Sequence, residues 1–275
     1  MRTNALAKSP AAVLAPAAPT HGVDQDLGVD LAHTALAVAT RFAAGGRLWC
    51  VAPEWPEHAR HVAVEFVHPV IVGTRALPAV AVVAIDTSAT IEMMRPMVAA
   101  GDVILAVAPA QSATVSALCQ RALAWGATTV WIGAGDRPRT GAADHVLWLD
   151  GTPASAYDGS LVLMYHVLWE LTHICFEHPG LLRVDPSLDA CTDTVFVTCS
   201  DEGRPGEVVS LAMLGAKVRT ATGVEIVDTT LIGEVEPGDL ILVHNGTAVA
   251  RLDDSHLGIS GDPPDHEFLF RQQSS

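Results

Sequence analysis

The stretch Gly101-Asp102-Val103-Ile104-Leu105-Ala106-Val107, a helical repeat over residues 113–125, and then Thr128-Thr129-Val130-Trp131-Ile132 together decide the fold of the larger part of this chain. The two apolar runs are strand-length and the segment between them has helix length, so the order is strand, helix, strand. The same alternation extends both ways. Upstream, residues 47–52 and 79–85 read as buried strands. Helices are expected over 29–44, up to about 66, and over 88–99, where Ser88 is the expected N-cap and Pro96 shortens the end. Downstream, residues 145–149 form a last strand and 155–177 a long apolar helix, stopped by His178-Pro179-Gly180. Strands alternating with helices imply an α/β fold with a parallel sheet covered on both faces.

Past residue 180 the pattern changes. Residues 208–211, 216–220, 225–229, 240–244 and 248–252 are strand-length and separated by Leu214-Gly215, Thr222-Gly223, Pro237-Gly238-Asp239 and Asn245-Gly246. So many short strands in so little chain predict a small β-barrel. The expected organisation is a disordered leader (1–22), an α/β domain (23–180), a linker (181–197), a barrel (198–252) and a flexible tail (253–275).

Composition narrows the function. Hydrophobic residues make up 49% of the 275, yet no uninterrupted apolar run reaches the roughly 20 residues a membrane-spanning helix needs, so no membrane partner is expected. The net charge of −15, with 16 scattered Lys and Arg, repels phosphate backbones and argues against nucleic acid. Five cysteines without paired spacing point to a reducing compartment, hence the cytoplasm.

The C-terminal part carries a specific pattern: Thr198-Cys199-Ser200-Asp201-Glu202-Gly203-Arg204-Pro205-Gly206-Glu207-Val208-Val209, and later Gly238-Asp239-Leu240-Ile241-Leu242-Val243-His244-Asn245-Gly246-Thr247-Ala248-Val249. A cysteine, a Pro-Gly opening the first strand, a Gly-Asp turn and a histidine ending the penultimate strand together resemble the HypC/HupF family of NiFe-hydrogenase maturation chaperones. The resemblance implies an OB-like barrel in which Cys199 and His244 help hold the Fe(CN)2(CO) unit. It also implies two partners, the hydrogenase large-subunit precursor and a HypD-like maturation scaffold. A soft thiolate with an imidazole suits such an iron fragment, and two protein ligands leave it transferable. Cys199 is internal here, and five residues separate it from Pro205. Cys191 lacks the C-x-x-C spacing of a metal site.

The N-terminal part shows a second resemblance, to sugar-isomerase (SIS) domains and particularly to phosphoheptose isomerases. It rests on Ala44-Gly45-Gly46-Arg47-Leu48, on the helix Ala59-Arg60-His61-Val62-Ala63-Val64-Glu65-Phe66, on Arg75-Ala76-Leu77-Pro78-Ala79, on Gly101-Asp102-Val103-Ile104-Leu105 and on Ala124-Trp125-Gly126-Ala127-Thr128. It implies a doubly wound SIS-like sheet, a homodimer formed through helices of that domain, and a site at His61 and Glu65 for acid/base work or zinc. At i and i+4 these two share a helix face, with His58 and His68 in about the same quadrant. Leu161 stands where a further catalytic histidine is expected, and His166, one turn beyond it, is the candidate if the register is shifted. His173 and His178 read as helix-surface and capping residues. The phosphate loop of that family corresponds here to Ala108-Pro109-Ala110-Gln111-Ser112-Ala113-Thr114, leaving Ser112 and Thr114 as phosphate-binding candidates while Pro109 removes an N–H donor. At the first loop, Glu54 repels phosphate.

The expected function is therefore that of a hydrogenase maturation chaperone rather than an enzyme. The alternative is a sugar-phosphate isomerase or phosphosugar-binding protein acting through the SIS-like domain.

Overall fold

A computed structural model of the chain describes residues 25–69, 73–83, 86–151, 159–182 and 203–252. The expected leader and tail, nearly all of the expected linker, and both Cys191 and Cys199 lie outside the described residues.

The first sheet has five parallel strands, β1 (Leu48–Val51), β2 (Ala79–Val82), β3 (Val103–Val107), β4 (Thr128–Gly135) and β5 (His145–Asp150), in the spatial order β2-β1-β3-β4-β5. β1 and β3 are buried throughout, as strands covered on both faces must be. Alternate residues serve opposite faces. Leu48, Cys50, Val103, Leu105, Val130 and Ile132 pack under α1 (Gln25–Ala43), α2 (Pro56–Val67) and α5 (Gly159–Glu177). Trp49, Val51 and Ile104 face the other way, against α3 (Thr87–Met97) and α4 (Ala113–Trp125).

Local chemistry sets the helix ends. Ser112 caps α4 by accepting from the Val115 N–H, and Gly126 closes it in the left-handed region at φ 72°. For α3 the cap is Asp86, whose carboxylate accepts from the Ala89 N–H at 2.8 Å. The expected cap, Ser88, lies inside the first turn, because a carboxylate two residues earlier offers the stronger acceptor.

Asp102 joins the first elements. It is 3% exposed and accepts three N–H groups: Arg47 N at 2.9 Å, Trp49 Nε1 at 2.8 Å and Ala99 N at 2.9 Å. Beside it the chains cross closely, and a Cβ on Gly46 would lie 2.4 Å from the Gly101 carbonyl oxygen.

The second sheet is antiparallel, in the order β10-β9-β6-β7-β8, built from β6 (Arg204–Ala212), β7 (Gly215–Thr220), β8 (Gly223–Val227), β9 (Leu240–His244) and β10 (Thr247–Arg251). Register shifts between Val208 and Ser210 and between Ala248 and Ala250 bend the strands. A parallel bridge from Asp228 to Thr247 brings the end of β8 to the start of β10, curling the sheet into a small barrel around Val208, Val218, Val227, Ile241 and Val243. β9 and β10 meet at Asn245-Gly246, both at positive φ (48° and 75°), the turn that a two-residue hairpin favours.

The barrel docks on α3 and α4 through a charged seam. Glu207 of β6 is fully buried and accepts from Trp125 Nε1 at 2.6 Å and Arg95 Nε at 3.1 Å, with Arg121 Nε at 3.5 Å. Arg219 of β7 donates to the Arg95 and Val98 carbonyls, both at 2.6 Å, which supplies partners at the C-terminal end of α3. Leu240 adds an apolar contact with Ile91 and Met94 of α3 and Leu118 of α4.

Candidate functional site

The candidate ligand cluster lies on the opposite face of the parallel sheet from the docked barrel, where α2 and α5 meet. His61 and Glu65 stand one turn apart on α2, and His166 faces them from α5. The distances are 3.3 Å from His61 Nε2 to Glu65 Oε1, 3.3 Å between the two histidine Nε2 atoms, and 3.6 Å from His166 Nε2 to Glu65 Oε1. All three are partly buried, and among the described residues they form a group able to hold a metal ion.

Tyr165, beside His166, orders this group. Its hydroxyl lies 2.8 Å from His61 Nδ1 and 3.4 Å from His58 Nδ1. Burial, and then the Glu65 carboxylate, push that hydroxyl up to about 12, so it stays protonated at neutral pH. In the tautomer that carries its proton on Nδ1, His61 donates to this hydroxyl and keeps Nε2 as the atom available to a metal ion. Trp55 packs edge-on against His58 and walls off this side.

Of the other expected residues, Leu161 lies on α5 itself, fully buried in the core, about 140° round the helix from His166. His68 is exposed at the C-terminal cap of α2 and does not join the cluster. His173, expected on the surface, is instead buried, its ring nitrogens 2.9 Å from the Trp169 carbonyl and 3.0 Å from the Arg75 carbonyl. It ties α5 to the segment leading into β2.

Ser112 and Thr114 are both buried where β3 passes into α4. The Ser112 oxygen caps its own helix, and the Thr114 hydroxyl bonds that of Thr87 at 2.6 Å. The strand order places the β1–β3 crevice at this point, the usual ligand position of an open parallel sheet. Its two loops carry Pro53, Pro56 and Pro109, and indoles crowd the next strand. Trp131 donates to the Ala108 carbonyl at 3.1 Å, and the Trp148 ring lies where a Cβ on Gly133 would fall.

In the barrel, His244 ends β9 immediately before the Asn245-Gly246 turn and is half-buried, its Nε2 3.1 Å from Asn245 Nδ2. β6 pairs antiparallel with β9, Arg204 opposite Val243. Gly203, the residue before Arg204, and His244, the residue after Val243, therefore flank the same end of this pairing. The described thiols are of another kind. Burial pushes Cys119 up to about 12, with the Asp144 charge adding to it, and burial raises Cys50 and Cys175 as well. These three read as packing residues.

Fold and site together define a two-part protein, a doubly wound α/β unit with a three-residue ligand cluster on one face and a small antiparallel barrel docked on the other. Residues 203–258 match the HupF/HypC family. Comparison with curated proteins gave no match. Among solved structures, a phosphoheptose isomerase from Francisella tularensis is similar over 54% of this chain and 87% of its own, at 13% identity and a TM-score of 0.48. One from Neisseria gonorrhoeae is similar over 53% and 87%, at 18% identity and a TM-score of 0.44. Neither likeness carries chemistry across to this chain. No helix among the described residues is long and apolar enough to cross a membrane.

Proposed function

We propose that this chain is a NiFe-hydrogenase maturation factor of the cytoplasm. Its barrel handles the Fe(CN)2(CO) unit through Cys199 and His244 and presents it to the large-subunit precursor, with a HypD-like scaffold as the second partner. The α/β unit is then the platform that carries the barrel and pairs with a second copy. The observation that supports this is the HupF/HypC match, which spans β6 to β10 and includes His244. Covalent reach agrees with the pairing of the two ligands. Cys199 is four residues from Gly203, a span of at most about 14 Å, and Gly203 precedes Arg204, whose partner Val243 adjoins His244.

The test is anaerobic purification from a host with the maturation machinery, followed by infrared spectroscopy in the CO and CN region. The wild-type protein should show these stretches. Cys199→Ala should reduce them more than about tenfold, since a transferable two-ligand site keeps little affinity with one ligand, and His244→Ala should weaken them less. Unchanged iron loading and large-subunit processing with Cys199→Ala would dispose of the reading.

A second reading rests on the α2/α5 cluster. A divalent ion with arms of 2.0–2.1 Å and tetrahedral angles separates its ligand atoms by about 3.4 Å, and the observed edges of 3.3, 3.3 and 3.6 Å fit that triangle. His61, Glu65 and His166 would hold the ion, and such an ion supplies a Lewis acid with one open position. Titration with Co2+ should give visible d–d absorption at one equivalent. Glu65→Gln or His166→Ala should raise the dissociation constant by about a hundredfold, and Tyr165→Phe by about tenfold through the lost orientation of His61. Absorption indifferent to all three substitutions would count against the site.

A further inference from the structure

A cleft of about 600 Å3 opens along the domain junction, on the face of the sheet away from the α2/α5 cluster. One wall is the outer side of α3 and α4, with Thr87, Ser88, Arg95, Gln120 and Arg121. The other is the Pro237–Leu240 turn of the barrel with Arg251 and Leu252. Three guanidiniums from two separate units thus converge on one cavity in a chain whose net charge is −15.

The formal charges of Arg95, Arg121 and Arg251 are matched by those of Glu92, Glu207 and Asp239, and what exceeds the acceptors here is the number of N–H groups. The buried Glu207 carboxylate accepts from Trp125 and Arg95 and lies 3.5 Å from Arg121 Nε, an ion-pair contact in which that buried nitrogen makes no hydrogen bond among the described residues. Arg121 Nη1 bonds the Ala117 carbonyl, and Arg251 holds Asp239 through Nη1 alone. A guanidinium carries five N–H groups, so most of those on Arg95, Arg121 and Arg251 have no protein acceptor among the described residues. Two carboxylates also line the cleft, Glu92 and Asp239. Asp239 is already engaged, accepting from the Glu236 N–H as well as from Arg251.

We infer that this cleft is a binding site for a phosphate-bearing small molecule, gripped by Arg95 and Arg121 from the α/β unit and by Arg251 from the barrel. Phosphate suits the donor set because its several oxygens take guanidinium forks from more than one side. A cavity of this size is in the range of ordinary small-molecule sites. A ligand that touches both units binds the docked arrangement only, so it stabilises the junction by linkage. The inference is independent of iron handling and of the α2/α5 cluster.

Calorimetry on the full chain at physiological salt, with inorganic phosphate and pyrophosphate as probes and acetate for comparison, tests it. Pyrophosphate should bind with one site per chain and raise the unfolding midpoint, and acetate should do neither. Arg251→Gln lies outside the Glu207 cluster and should leave the fold intact while raising the pyrophosphate dissociation constant by about tenfold. Arg137→Gln, a surface control beside Asp150, should leave it unchanged. Absence of pyrophosphate binding to the folded wild type, equal binding of acetate, or equal loss with the Arg137 control would each overturn the assignment.

Discussion

Replacing Glu207 with alanine is expected to cost about 3 kcal/mol and to part the barrel from the α/β unit. Breaking a buried ion pair from one side typically costs about 3–5 kcal/mol, because the remaining charge stays in a poor environment. Here Trp125 Nε1 and Arg95 Nε lose their common acceptor and the Arg121 guanidinium its ion-pair partner at once. The lower end of the range applies because Arg95 and Arg121 keep 34% and 20% exposure and water reaches them once the seam loosens. That escape route determines the form of the result. Much of the loss should appear as separation of the units, read as an increased radius of gyration in small-angle scattering and faster proteolysis between them, rather than as collapse of either core. Glu207→Gln keeps an acceptor for the indole and loses the charge, so its effect should be smaller. A Glu207→Ala protein with unchanged scattering and midpoint would show that the seam carries no energy.

Asp102→Ala is expected to lower the unfolding free energy by about 3 kcal/mol, measured as a fall in the urea midpoint with little change in slope. The Asp102 side chain is buried and takes three N–H groups, from the start of β1, from the Trp49 ring and from the turn before β3. An unsatisfied buried donor costs about 1–3 kcal/mol, and relaxation or entering water recovers part of the total for three. In contrast with Glu207, the damage should stay within the α/β core: hydrogen exchange at the Arg47 and Ala99 amides should accelerate while the barrel amides keep their protection. Asp102→Asn retains one acceptor oxygen and should fall between. Equal protection at both amides in the alanine variant would reject the clamp.

The regular elements were legible in the sequence because their signals are local. β3 and α4 run as their residues predict, the helix framed by Ser112 and Gly126. β4 runs three residues beyond its expected end at Ile132, because Gly133 reads as a breaker. Its missing side chain instead makes room for Trp148 on β5, a contact invisible to local pattern. β6 likewise begins at Arg204 rather than at Val208, since Pro205 and Gly206 weaken the strand signal while pairing with β9 holds the segment in the sheet. Of the α2/α5 cluster, spacing within one helix pointed to the His61 and Glu65 pair, while His166 was a candidate only through a shifted register and its place beside them depends on the packing of a helix a hundred residues later. Glu207 carried no signal at all, because its acceptor role depends on Arg95, Arg121 and Trp125, more than 80 residues away. The described structure leaves the Cys199 reading where the sequence put it.

The composition of the junction also sets what happens when the two units come apart. Where a domain seam is apolar, opening it exposes surface that aggregates. This one, if opened, presents Glu207 and Arg219 on one side and Arg95, Arg121 and the Trp125 indole on the other, with Leu240 and Leu252 as the aliphatic contribution. The parted faces are water-compatible, so separation should be reversible, and each open unit should remain in solution long enough to find its partner again.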